Sequence, residues 1–202
     1  MGQNPSIFKT GDVIGLMSDN GKYLSRCNGC IQGVTDCASI ESPSMNIETQ
    51  WYVEVIEGNT IALKSMASGN YLGYCYGCAT SLANGVENGI AKVDDKTSNN
   101  SWTQWSVTQS GNKILLKSLY NNKYLNRCYG CVQSPSSSQG KNFAFVTITD
   151  ATLPYAQWTY NIVSGPSTGV TIGNEHIIFT DWGAKTPANN LENFSLSNNG
   201  GN

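Results

Sequence analysis

The chain has 202 residues, enough for one domain with a real core or for one domain and a tail. Charged residues make up only 13%, the formal net charge is −2, and the 12 Lys and Arg are scattered, which argues against a duplex-binding basic footprint and so against nucleic acid as a partner. No apolar run approaches the ~18 residues of a membrane span, and abundant Gly, Ser, Asn and Thr point to a turn-rich all-β protein rather than a helical one.

The opening Met-Gly-Gln-Asn-Pro-Ser has no signal-peptide core, so the expectation is a leaderless protein, cytoplasmic or secreted by a non-classical route. Gly2 and Ser6 fit the loose myristoylation pattern, with Pro5 against it. Seven cysteines pull the other way, because disulfides imply an oxidising destination.

From Gly11 a pattern begins that returns twice. Segments 11–30, 58–78 and 111–131 align, and the first is one residue short in the polar turn before Tyr23. Each opens with an alternating pair, Ile14/Leu16, Ile61/Leu63 and Ile114/Leu116, as a half-buried first strand requires. A turn follows, at Asp19-Asn20-Gly21, Ser68-Gly69-Asn70 and Asn121-Asn122. Tyr23-Leu24, Tyr71-Leu72 and Tyr124-Leu125 open the second strand, which runs into a Cys-x-Gly-Cys pair. The third strand is clear in Ile90–Val93 and Phe143–Ile148 and weaker in Asp36–Ile40. The fourth follows a Gln-Trp dipeptide: Gln50-Trp51, Gln104-Trp105 and Gln157-Trp158. Cys37, Ala91 and Ala144 each precede that Gln by 13 residues, so Cys37 reads as a small buried residue in the slot of the two alanines.

The tryptophans recur after 54 and 53 residues. One unit of about fifty residues cannot bury its apolar face alone, but three around an axis can. The fold class expected is therefore all-β, a β-trefoil of three ~50-residue repeats at about 8–57, 58–110 and 111–162; a three-bladed array is the competing arrangement, though propellers normally have at least four blades. Residues 163–202 form an extension outside the repeat. A hairpin is predicted there from Val170–Ile172 and His176–Thr180, Ile177-Ile178-Phe179 and Trp182 need covering, and a homodimer through this segment is one way to cover them. From Pro187 the Asn- and Ser-rich end reads as disordered.

The Cys-x-Gly-Cys pairs are Cys27/Cys30, Cys75/Cys78 and Cys128/Cys131. A disulfide within each pair is the reading preferred, since glycine permits the sharp turn that brings the two Cα atoms close. Zinc shared between two pairs and three pairs of reduced thiols are the alternatives; on hairpins splayed around an axis, two pairs could not meet without breaking the symmetry. No metal or other cofactor is expected. The single histidine, His176, lies in the extension, so a nucleophilic triad would have to be built there, and no enzyme is expected.

A stiffened loop loses less entropy on binding, and the side chains around these loops suit sugars. Arg26, Tyr74 and Arg127 precede the first cysteine, Asn28, Tyr76 and Tyr129 sit inside the ring, and Gln32, Thr80 and Gln133 follow the second cysteine by two. Amides and guanidinium groups match hydroxyls through paired hydrogen bonds.

The Gly-Lys-Tyr-Leu turn resembles that of fascin-like and hisactophilin-like trefoils, and the Gln-Trp pairs are similar to the Gln-x-Trp signature of ricin-B-type lectins without its spacer. The resemblance covers roughly residues 8–162. It implies a carbohydrate-binding lectin, multivalent for glycans or glycoproteins, with Gln32 and Gln133 as hydroxyl partners and Tyr76 and Tyr129 as stacking surfaces. The family's first-turn Asp is matched only by Asp19; Asn28 replaces the aromatic in the first copy and Thr80 the amide in the second. A cytoskeletal, actin-binding trefoil, a toxin receptor-binding module and a protease inhibitor remain the alternatives, because one fold serves many functions.

Overall fold

The computed structural model describes residues 7–165 and, as backbone, strands at 170–172 and 175–177. Contacts divide the chain into two units, Met1–Pro166 and Ser167–Asn202. The first is all-β, with short 3₁₀ turns and no α-helix among the described residues.

Its strands are β1 (Val13–Met17), β2 (Tyr23–Ile31), β3 (Val34–Ser42), β4 (Gln50–Glu57), β5 (Thr60–Ser65), β6 (Tyr71–Tyr76), β7 (Gly89–Asp95), β8 (Gln104–Ser110), β9 (Lys113–Ser118), β10 (Tyr124–Tyr129), β11 (Asn142–Ile148) and β12 (Trp158–Ser164). Six of them close a ring, β1–β4–β5–β8–β9–β12 and back to β1, every pair antiparallel. Closure leaves these strands no open edge. The other six form hairpins β2–β3, β6–β7 and β10–β11. The hairpins touch one another in a triangle through Cys37 and Lys92, Ile90 and Phe145, and Phe143 and Ser39.

The period-2 pattern explains the ring. Ile14, Leu16, Ile61, Leu63, Ile114 and Leu116 are all fully buried, and so are Trp51, Trp105 and Trp158. Each indole N–H has a partner: Trp51 Nε1 donates to the Leu24 carbonyl (3.1 Å), Trp105 Nε1 to Leu72 (3.2 Å) and Trp158 Nε1 to Leu125 (3.0 Å). The Tyr-Leu that opens each second strand thus receives the tryptophan that opens each fourth, and a buried polar group that would otherwise cost free energy is satisfied. A 3₁₀ turn sets up each tryptophan. In two of them a buried threonine is satisfied by the backbone, Thr49 Oγ1 donating to the Asn46 carbonyl (2.8 Å) and Thr103 Oγ1 to Asn100 (2.9 Å); the third has the apolar Ala156.

A second cluster lies under the hairpin tips: Ile31, Val34, Cys37, Ala79, Ile90, Cys131, Val132, Phe143 and Phe145. Its composition corrects the register expected for Cys37. Across the hairpins Arg26 faces Ala38, Tyr74 faces Ala91 and Arg127 faces Ala144, while Cys27, Cys75 and Cys128 face Cys37, Ile90 and Phe143. Ala38 therefore holds the alanine slot, and Cys37 stands where the other hairpins carry larger residues. Counting back from Gln fails because the loop after β3 is one residue shorter, 43–46 against 96–100 and 149–153.

The second unit contains β13 (Val170–Ile172) and β14 (Glu175–Ile177), an antiparallel pair. Of the hairpin expected from Val170–Ile172 and His176–Thr180, the first strand is present as backbone with the expected bounds and the second begins at Glu175, with Thr171 opposite His176, while residues 178–180 lie outside the described residues. Ile178, Phe179 and Trp182, the residues proposed to mediate a dimer, lie outside the described residues, as does Gly2. No described helix is long and apolar enough to cross a membrane.

Candidate functional site

All three Cys-x-Gly-Cys pairs are bridged within themselves, Cys27–Cys30, Cys75–Cys78 and Cys128–Cys131, with Cα separations of 5.7, 5.9 and 5.8 Å. The glycine inside each ring is left-handed, Gly29 at φ +66°, Gly77 at +74° and Gly130 at +69°, a conformation that costs other residues ~1–2 kcal/mol. That is why this position is glycine three times. Cys37 is free and buried; burial pushes its thiol up to about 12, with the Asp36 charge adding to the effect. Among the described residues no three His, Cys, Asp or Glu are grouped to hold a metal ion.

The expectation that the loops splay apart is corrected. The residues after the second cysteines form a closed relay: Gln32 N–H donates to the Ser134 carbonyl (3.1 Å), Gln133 N–H to Ser81 (3.1 Å) and Thr80 N–H to Gln32 (3.1 Å). Ser138 Oγ adds a bond to the Cys30 carbonyl (2.6 Å). Apolar contact drives the convergence, since Val132 and Ile31 are buried beneath it and all three bridges pack on the second cluster.

The loop residues divide into two groups. Arg26, Tyr74 and Arg127 are engaged inside the protein. Arg26 Nε donates to Asp36 Oδ2 (2.7 Å) and its Nη1 to Glu48 Oε2 (3.4 Å). Arg127 donates to both Asp19 oxygens and, through Nη1, to Asn142 Oδ1 (2.9 Å). Tyr74 is 7% exposed and packs on Tyr120, with ring centroids 5.6 Å apart. Asp19, the residue matching the lectin family's first-turn carboxylate, is thus held by Arg127.

Asn28, Gln32, Tyr76, Tyr129 and Gln133 are exposed, the tyrosines at 72% and 67%. Such exposure is unusual for rings of this size and leaves much of each ring open to a ligand. Beside Tyr129 the Gln133 side chain folds back, Nε2 donating to the Gly130 carbonyl (3.1 Å), so its carbonyl oxygen is left to accept. In the second loop Thr80 Oγ1 donates to the Gln32 carbonyl (3.2 Å) and ties down the group standing in place of an amide. The partners of the arginines, Asp36, Glu48 and Asn142, were not singled out by the sequence. Asp36 carries a signal in hindsight, as an acid on the strand expected to pair with the arginine's strand.

No protein-family model and no curated protein sequence matches the chain. Solved structures do. A Polyporus squamosus lectin, described bound to the epitope Neu5Acα2-6Galβ1-4GlcNAc, superposes with a TM-score of 0.58 at 14% identity over 80% of this chain and 51% of its own. The designed threefold-symmetric protein ThreeFoil matches at 0.50 and 18% identity over 73% of this chain and 96% of its own. A Clostridium perfringens endo-β-galactosidase that releases GlcNAcα1-4Gal matches at 0.51 and 16% over 76% of this chain and 33% of its own. The chain spans about half the length of the lectin and a third of that of the galactosidase. At these identities the likeness shows the fold alone, an all-β ring of strands shared with trefoil-like lectins and with a domain of at least one enzyme.

Proposed function

We propose that the first unit is a β-trefoil of three repeats, about 8–57, 58–110 and 111–162, and that it is a non-catalytic lectin binding glycans at its disulfide-closed loops. Support for the trefoil comes from the repeat spacing, from three tryptophans that each donate to the carbonyl of the leucine in a Tyr-Leu pair, and from the likeness to a designed threefold-symmetric protein. The observation that carries the lectin reading is the pair Tyr76 and Tyr129: two open phenol rings, each next to a bridged cysteine on a loop locked by a left-handed glycine. Such a ring covers the C–H face of a sugar, and the exposed amides of Gln133, Gln32 and Asn28 offer donors and acceptors to its hydroxyls. Arg26, Tyr74 and Arg127 hold these loops in shape and leave the contact to the other five residues.

A glycan array on the full chain, repeated with Tyr129→Ala and Tyr76→Ala, tests this. Binding by the wild type that weakens in either variant supports it. Absence of binding to every glycan on a broad array overturns it and moves the cytoskeletal or inhibitory reading ahead.

A further inference from the structure

Away from the cysteine loops, on the flank of the ring, a cavity of about 420 Å³ is lined by Tyr52, Glu54, Lys64, Ser65, Met66, Gly69 and Tyr71. This is within the range of about 300–1,000 Å³ of small-ligand sites. Its polar groups are fixed before any ligand arrives. Tyr71 Oη donates to Glu54 Oε2 (2.7 Å) and the buried Ser98 Oγ donates to Oε1 (2.8 Å), so the carboxylate is held by one bond on each oxygen and each oxygen keeps a further lone pair. Burial, then the bond to Glu54, pushes the Tyr71 phenol above its ordinary range and keeps it a donor. Lys64 Nζ sits 5.5 Å from the centre of the Tyr71 ring and forms no ion pair with a described residue. Tyr52 and the exposed Met66 supply apolar surface.

Backbone shape alone does not produce this arrangement. At the same place elsewhere in the ring, Ser106 faces Lys117 across β8–β9 and Thr159 faces Met17 across β12–β1, where Tyr52 faces Lys64. Two residues along stand Thr108 and Asn161 in place of Glu54. Only the β4–β5 position combines an aromatic wall, a carboxylate and an ammonium.

We propose that this pocket is a separate binding site for a neutral hexopyranose unit, with Glu54 accepting from its hydroxyls, Lys64 donating to them, and Tyr52 and Met66 covering the C–H face. One hydroxyl can accept from Lys64 and donate to Glu54 at once, which a carboxylate cannot, and an acidic sugar would set its charge against Glu54. The site stands whether or not the cysteine loops bind sugar.

The test is NMR of the full chain labelled with ¹³C in its methionine methyls, titrated separately with the methyl glycosides of glucose, galactose, mannose and glucuronic acid. The Met66 methyl reports on the pocket, while Met17 and Met45 do not line it. The expected result is a saturable Met66 shift with at least one neutral sugar. Affinity should fall about tenfold or more in Glu54→Gln and in Lys64→Gln, with no change in Tyr129→Ala. Lys64→Gln alters only a partly exposed group, so it keeps the test open if Glu54→Gln does not fold. Four results overturn the proposal: a Met66 methyl unmoved by all the neutral sugars, a shift that every folded pocket variant retains, loss of the shift in Tyr129→Ala, or tighter binding of the glucuronide.

Discussion

Arg127 clasps Asp19 across 108 residues of sequence, Nε to Oδ1 at 2.7 Å and Nη2 to Oδ2 at 2.8 Å. This two-pronged pair joins the β10 strand to the turn between β1 and β2, so it ties a late hairpin of the chain to its beginning. Asn142 belongs to the same seam, accepting from Arg127 and donating through Nδ2 to Glu41 Oε1 (2.6 Å). The Arg127 bond outweighs burial and holds the Asp19 carboxyl below its ordinary 3.8. Burial pushes Glu41 up, but its bonds to Lys22 and Asn142 outweigh that and hold it below 4.5. Both folded-state values lie below the unfolded ones. The seam therefore stabilises the fold fully above those ordinary values, and the contribution is lost as pH falls through the lowered ones. Asp19→Asn should be less stable than wild type by about 1–2 kcal/mol near neutral pH, with the gap narrowing as the pH falls below the ordinary carboxylate range. Urea unfolding across pH measures this; a gap that stays constant into acid rules the seam out as a titrating element.

The tryptophan positions predict a matched set of losses. Replacing Trp51, Trp105 or Trp158 by Phe removes an indole N–H from a buried carbonyl and leaves unfilled volume. Each substitution should cost about 2–4 kcal/mol, the three agreeing within roughly 1 kcal/mol. Chemical denaturation of the three variants is the measurement. One costly position and two tolerant ones would show that the three environments differ.

The parts of the fold that were legible in the sequence are those in which side-chain chemistry repeats locally. Ile-x-Leu, Tyr-Leu and Gln-Trp each carry their burial pattern within a few residues, and the structure places all three as read. The Cys37 register was illegible because counting from Gln50 assumes loops of constant length. The arginines read as ligand contacts because Arg–sugar and Arg–carboxylate pairing use the same donors, and Asp19 lies 108 residues from Arg127. The Glu54 pocket was missed for a different reason: Tyr52, Glu54 and Lys64 lie on the outward face of the β4–β5 hairpin, with Tyr71 just beyond it, and an apolar alternation pattern marks that face only as the one turned away from the core.

The cysteines give a chemical test. Three local bridges should lower the intact mass of non-reduced protein by about 6 Da, since each bridge removes two hydrogens. Cys37, buried and with its thiol pushed up to about 12, should resist iodoacetamide in the folded chain and react stoichiometrically in denaturant. Rapid labelling of the native protein would show that the second core opens under native conditions.

Gly33 is where the first hairpin tip meets the second loop. Its φ is +87°, and a Cβ there would stand 2.7 Å from the Cys78 carbonyl oxygen, a backbone atom already fixed by the bridge to Cys75. Gly33→Ala should therefore cost about 2 kcal/mol or more, from left-handed strain together with the clash. Gly29→Ala, at φ +66° with open space around its Cβ, should cost only the strain, about 1–2 kcal/mol. Equal losses in the two variants, measured by urea denaturation, would mean that the interlock between the loops carries no weight.

The three loops predict unequal valency. The third presents the open ring of Tyr129 with the Gln133 side-chain Oε1 free to accept; the second presents Tyr76, but its Thr80 hydroxyl donates to the Gln32 carbonyl; the first presents Asn28 and Gln32 with no ring. Affinity for a single sugar should thus be highest at the third loop, lower at the second and lowest at the first. Shallow sites of this kind bind at about high micromolar to millimolar levels, roughly −4 to −5.5 kcal/mol. Because the relay through Gln32, Thr80 and Gln133 draws the loops together, a branched or clustered glycan can engage more than one at once, with a gain of the order of 10²–10⁴ and no new contacts. Calorimetry with the best array ligand should show the largest loss in Tyr129→Ala, an intermediate loss in Tyr76→Ala and a small one in Asn28→Ala. The clustered form of the same ligand should lose disproportionately when Tyr76 and Tyr129 are both removed. If the double variant binds clustered and single ligands with unchanged stoichiometry and affinity, the cysteine loops are not sugar sites.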